Sequence, residues 1–457
     1  MPDSLFPQVR MGPAVDVEMQ QLDGRRHRLK DVMESDDAPR MAALQALFGF
    51  TSEQMRQVRE LSTTTPWCRY LEDSFQPFLT EQYACIWATI GLPPPRAASH
   101  CWGLFSAVSR AVAKLNDADS IKDVWKSVRE DAEAEEGGLI MRADAPKECL
   151  IAVFAVLCWG SMIVQPKLTW TDATAAPRLT IHQLPADHQG LKMGLFERPI
   201  TALFQNFQTA LAGRQLTRAP GTGESTVLLV SAINYHSLRT IGKVSLKWVD
   251  NLSCHLSFDA RTRTLSIFQF PSFCALATMA NNRSALFDTL VEILFSTDDE
   301  IVKGLGCSRQ LSQEVLMSYR LLFGQCRAAR RLGKTLLQQM EAKHGYDQLL
   351  ACLCTKPRRE VAKKLPGSFW PLSCRDFDDV LQEVDSYSSR DDFPMLGSCL
   401  AVIQEFNLRQ QPSKLRDLWR DRRNPLQWYT FWAVLVVGGL SIFLSSLQLV
   451  VAIVTMV

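Results

Sequence analysis

The 457-residue chain has almost no excess of charge, since 50 basic residues against 48 acidic ones leave +2. It therefore lacks the basic surplus that general nucleic-acid binding demands, and nucleic acid is not an expected partner. A secretory leader is missing too. Asp3, Arg10, Asp16, Glu18, Asp23, Arg25, Arg26 and Arg28 punctuate an N-terminal stretch without the apolar core of a signal peptide. Thirteen cysteines, an odd number, run from Cys68 to Cys399 with no repeated spacing, which argues against a disulfide framework and for reduced thiols in the cytosol. The one close pair, Cys352 and Cys354, falls on a predicted helix where residues two apart diverge, so no metal site is expected. Gly221-Thr222-Gly223-Glu224-Ser225 is glycine-rich like a phosphate-cradling turn. It has neither the following Lys nor a clear preceding strand, and it reads as a flexible loop with no cofactor implied.

What the chain does have is a long apolar run. From Pro425 onward there is no charged side chain, and Phe431 to Ile453 is built mainly of Val, Leu, Ile, Phe, Ala and Gly. At about 1.5 Å per residue, roughly 20 helical residues cross a hydrocarbon layer of about 30 Å, so residues 428–453 predict a single transmembrane helix. A helix is required because its backbone groups are paired within the segment. Lys414, Arg416, Arg420, Arg422 and Arg423 make the preceding flank basic, which by the positive-inside rule places the body in the cytosol and the chain in the tail-anchored class. Trp428, Tyr429 and Trp432 fall where aromatic rings mark a membrane interface. Gly438, Ser441, Ser445 and Gln448, at steps of three, four and three, share one face and offer a helix–helix contact through which the protein could form homo-oligomers. A glycolipid-anchor signal fits poorly, since it needs secretion and a polar spacer before its apolar tail. A second apolar run, Cys149 to Val164, reaches only about 24 Å as a helix and reads as buried.

The remainder predicts an α+β fold, mostly helical. Residues 1–34 are polar and without period and read as a disordered arm. Residues 35–165 form a helical unit, with Thr51 and Gln54 as a capping box and helices expected at 98–115 and 119–134. A proline-bearing connector spans 166–195. An α+β unit follows over 196–300, where Val244, Leu246 and Trp248, then Leu252, Cys254, Leu256 and Phe258, then Leu265 and Ile267 alternate with mostly polar residues. That period predicts a three-stranded antiparallel meander over about 244–270, its apolar face covered by helices at 196–213 and 284–296. Residues 301–424 return to helix and end in the basic juxtamembrane flank.

Several strings are recognisable together: Trp248-Val249-Asp250, His255-Leu256-Ser257-Phe258-Asp259, Phe270-Pro271-Ser272-Phe273-Cys274, Tyr319-Arg320-Leu321-Leu322-Phe323, and Trp419 to Trp432 running into Ala433 to Leu444. Over residues 195–457 the chain resembles a group of filamentous-fungal proteins that end in one membrane helix. That resemblance implies a fungal source and the anchor, and carries no activity.

Candidate chemistry is sparse. Asp250, Cys254 and His255 combine carboxylate, thiol and imidazole, but strand alternation turns Cys254 inward and His255 to the surface, which separates them. His100, His182, His188 and His344 would have to be brought in by the fold. The basic helix with Arg327, Arg330, Arg331 and Lys334, followed by Lys356, Arg358, Arg359, Lys363 and Lys364, could meet anionic headgroups. These features point to a membrane-tethered, cytosol-facing interaction or scaffold protein whose partners are the bilayer and other proteins. The alternatives are a membrane-attached enzyme with a dispersed site, or a lipid-contacting protein. Asn251-Leu252-Ser253 and Asn282-Arg283-Ser284 have the form of glycosylation acceptors, and a cytosolic body predicts that both stay bare.

Overall fold

The computed structural model describes residues 38–60, 65–114, 118–136, 146–169, 178–181, 193–205, 226–280, 287, 291, 307–341, 346–410 and 425–456. The expected N-terminal arm, the Gly221–Ser225 loop and the basic flank 414–423 lie outside them.

The fold is α+β and mostly helical. Helix α1 (38–48) leads to α2 (Ser52–Glu60), whose start is held by the expected capping box: Gln54 N–H donates to Thr51 Oγ1 at 3.3 Å and Thr51 N–H donates to Gln54 Oε1 at 2.9 Å. Then come α3 (Thr65–Phe75), α4 (Ala84–Thr89), α5 (Trp102–Val112), α6 (Ile121–Glu136) and α7 (Lys147–Ser161). α7 is apolar on all sides and is accordingly surrounded, with every residue from Cys149 to Ser161 buried. Each of its large side chains contributes roughly 1.5–3 kcal/mol by leaving water. Phe75, Trp102, Phe105 and Trp159 form one aromatic nest around it, with centroids 5.3 to 6.0 Å apart. Gly160 admits the Phe105 ring, because a Cβ there would stand 3.2 Å from it.

Within the expected connector, β1 (Pro166–Thr169) and β2 (Arg178–Ile181) pair antiparallel. Helix α8 (200–205) sets Phe204 against Phe154 of α7 at 6.1 Å. After it come β3 (Val227–Leu229), α9 (Val230–Ile233) and α10 (Tyr235–Thr240), and Gly242 follows the last turn as expected.

The antiparallel meander is corrected in two respects. Strands β4 (Ser245–Val249), β5 (Phe258–Asp259) and β6 (Thr264–Phe268) lie in the order β4-β6-β5, with β4 parallel to β6 and only β5 antiparallel. Residues Leu252–Cys254, read as strand, form a 3-10 turn whose N–H groups at Leu252 and Ser253 bond the Met162 and Ile163 carbonyls after α7. Leu256 then takes a left-handed φ of 59°, which breaks the two-residue period and turns His255 inward. Of the helices expected to cover the sheet, residues 206–213 and all of 284–296 but 287 and 291 lie outside the described residues. Phe323 stacks on Trp248 at 6.5 Å and Phe406 meets Phe258 at 4.8 Å, whereas Phe204 packs on α7 and Phe287 on Phe273.

Helix α11 (Pro271–Met279) packs on α12 (Cys307–Tyr319), which runs into a π-helical turn, Arg320–Gly324. α13 (Arg327–Glu341), α14 (Gln348–Thr355) and α15 (Arg358–Lys364) follow, then β7 (Ser386–Ser388), paired antiparallel with β3, and α16 (Gly397–Arg409). One hydrophobic core connects Ala43 to Ile403 without a break. The last helix, α17 (Pro425–Met456), is 32 residues long.

Candidate functional site

α17 is largely exposed. Its stretch Tyr429–Thr455, 27 residues with a mean hydropathy of 2.3, is long and apolar enough to cross a membrane, and none of it is buried against the body. Within it Val434, Leu435, Ile442, Phe443 and Ile453 are all exposed, a surface that water would penalise by roughly 25 cal/mol per Å². Tyr429 is exposed and Trp432 sits edge-on to Phe431 at 6.3 Å. Trp428 is helical, while its ring and Lys414, Arg416, Arg420, Arg422 and Arg423 are outside the described residues. Gly438, Ser441 and Ser445 lie on the exposed helix, and Ser441 and Ser445 help line a shallow groove with Ile442, Ser446 and Leu449. The hydroxyl of Ser441 donates to the Val437 carbonyl at 2.9 Å, which makes the serine compatible with lipid without a partner. Gln448 is exposed on the same helix.

In the body, Asp250, Cys254 and His255 are engaged separately. Asp250 Oδ2 accepts from the Tyr70 hydroxyl at 2.9 Å, which with burial holds that phenol far above its usual range. The Cys254 sulfur lies 2.9 Å from Asn251 Nδ2, and burial pushes its thiol up. His255, expected at the surface, is buried instead. Its Nδ1 accepts from Phe268 N–H at 3.2 Å, so Nε2 carries the proton and donates to Ser318 Oγ at 2.8 Å, and the Ser318 hydroxyl donates to the Val315 carbonyl at 2.7 Å. Burial lowers the imidazole to about 3, a neutral core histidine. His100 is exposed, and His182, His188 and His344 are outside the described residues. Among the described residues no three His, Cys, Asp or Glu side chains gather closely enough to hold a metal ion, and Cys352 is half-buried beside the fully buried Cys354.

Three buried ionisable groups went unread in the sequence, and each bonds the end of a helix from a distance. Asp347 precedes α14 and accepts from Leu349 N–H at 2.8 Å; its other oxygen accepts from Ser272 N–H at 2.9 Å, at the start of α11, 75 residues away. Pro271 has no N–H, so Ser272 carries the first orphan donor of α11. Glu314 of α12 accepts from Met395 and Leu396 N–H at the start of α16. Arg320 donates through Nη1 to the Leu353 and Lys356 carbonyls at the end of α14, at 2.6 and 2.7 Å, while Nε bonds Glu383 at 2.8 Å. Asp347 alone left a readable trace, an Asp two residues before the apolar Leu349-Leu350 run.

The Asn251 acceptor is also decided by burial. Its side chain is 2 % exposed and bonded to Ser253 and Cys254, so the folded body offers no access to a glycosyltransferase whichever side of a membrane it occupies. Asn282 lies outside the described residues. Comparison with protein-family models, with curated proteins and with solved structures finds no match for this chain.

Proposed function

We propose that the protein is a single-pass membrane protein whose folded body faces the cytosol and acts at the bilayer surface by binding other proteins. The observation that carries this reading is the 27-residue apolar span at Tyr429–Thr455, wholly unburied, beside a body that completes its core without it. The basic flank Lys414, Arg416, Arg420, Arg422 and Arg423 supports the orientation. The buried ionisable groups Asp347, Glu314, Arg320 and His255 spend their hydrogen bonds on backbone, helix ends and neighbouring side chains, a structural use.

Alkaline extraction of membranes from cells making the full chain is the first test, with protein in the pellet as the expected result. Release into the supernatant would sink the anchor. For orientation, protease added to sealed vesicles should remove the body and leave only a tail fragment; a protected body would reverse the topology.

A further inference from the structure

Exposed basic residues crowd two helices between Arg327 and Lys364. On α13, Arg327, Arg331 and Lys334 recur at steps of four and three, share one stripe and are all exposed. Gly333, between the last two, lies against α14, where an added Cβ would stand 3.4 Å from Cys354 Cβ. α14 passes through Lys356 and Pro357 directly into α15, on which Arg358, Arg359, Lys363 and Lys364 are exposed. α13 and α15 thus both adjoin the last turn of α14.

These charges have few partners. Lys356 pairs with Glu360 at 3.1 Å, whereas Arg327, Arg331, Lys334, Arg358, Arg359, Lys363 and Lys364 form no ion pair among the described residues. Nor does their placement serve the helices. Arg327 opens α13, and Arg358 and Arg359 open α15, where the positive end of the helix dipole disfavours cations. Arg327 with Arg331, and Arg359 with Lys363, repel at four-residue spacing. In a chain of balanced net charge, this is a local concentration maintained against helix stability.

We propose that the α13–α15 face docks onto anionic lipid headgroups of the bilayer that holds α17. The inference rests on the anchor reading. Tethering keeps the body at high effective concentration over the membrane, so a patch too weak to recruit a free protein suffices to orient a tethered one. Each Lys or Arg near an anionic leaflet raises partition about fivefold, and the attraction is screened by salt.

The test uses the full chain reconstituted in lipid nanodiscs, of phosphatidylcholine alone or with about a third phosphatidylserine. Acetylation of Lys334, Lys363 and Lys364 is read by mass spectrometry. Labelling should slow at least about fivefold in the anionic discs and recover at about 0.5 M salt. Arg327→Gln, Arg331→Gln and Arg359→Gln combined should abolish that lipid dependence, while the matching Arg→Lys set keeps it; amide exchange elsewhere in the body checks that both variants stay folded. Equal labelling in both discs overturns the proposal. So does protection by inorganic phosphate in neutral discs, which would mark a free-anion site, or protection only by a soluble polyanion. Failure of the chain to enter the discs at all would instead strike the anchor.

Discussion

Asp347 illustrates how much one buried side chain can settle. Removing it in Asp347→Ala leaves the Leu349 and Ser272 N–H groups without an acceptor, and two lost caps at about 1 kcal/mol each predict a loss of ~2 kcal/mol in urea unfolding. Asp347→Asn keeps one acceptor oxygen but turns an amide N–H2 toward the other N–H, so it should lose at least half of that. Burial raises Glu314 to about 8, against a usual carboxylate near 4.5, despite the N–H groups that favour its ionised form. The folded state thus holds a proton that the unfolded chain has released. Glu314 accordingly favours folding most below pH 4.5, and its contribution falls by at most ~1.4 kcal/mol per pH unit as pH rises to 8. Glu314→Gln should remove that fall, which the difference between the two unfolding curves measures. His255 acts in the opposite sense. Buried neutral at about 3 against 6.5 unfolded, it contributes stability that is complete above 6.5 and is lost as pH falls toward 3, and His255→Gln should flatten that acid limb.

At the scale of elements, legibility followed periodicity. α7 was readable because sixteen or so consecutive apolar residues fit only a buried helix or a marginal span, and Thr51 with Gln54 was readable because a capping box is local. The sheet departs from its alternation where Leu252–Cys254 form a 3-10 turn and Leu256 is left-handed, so that His255 and Leu256 are both buried, and parallel pairing of β4 with β6 leaves no local mark. The caps at Glu314 and Arg320 were invisible because their partners lie on other elements. Gly324 shows how tightly such an arrangement is packed. A Cβ there would fall 2.2 Å from Arg320 Cζ, so Gly324→Ala should drive the guanidinium from Glu383 and from the end of α14, at a cost of ~3 kcal/mol or more. A thermal shift in the variant as small as that of a surface Ala substitution would show that Arg320 can move without loss.

For the whole molecule, the separation of α17 from the core has a direct thermodynamic consequence. The span Tyr429–Thr455 is not buried, so deleting residues from Pro425 onward should leave the unfolding midpoint of the body, followed by tryptophan fluorescence, within about 2 °C of that of the full chain. A larger drop would mean that the tail braces the body.

The body itself closes late. β3 receives its neighbours from β7 and from Gln404 of α16, whose side chain bonds Leu229 N–H and the Val227 carbonyl some 175 residues ahead of it in the chain. Until that C-terminal stretch arrives, β3 is a bare edge with open hydrogen-bonding groups and an exposed apolar residue at Val227. Contacts this distant in sequence form slowly, so the nascent or refolding chain passes through a period in which aggregation competes with completion. The yield of intact protein should then depend on dilution and on chaperone supply far more than on the stability of the finished fold.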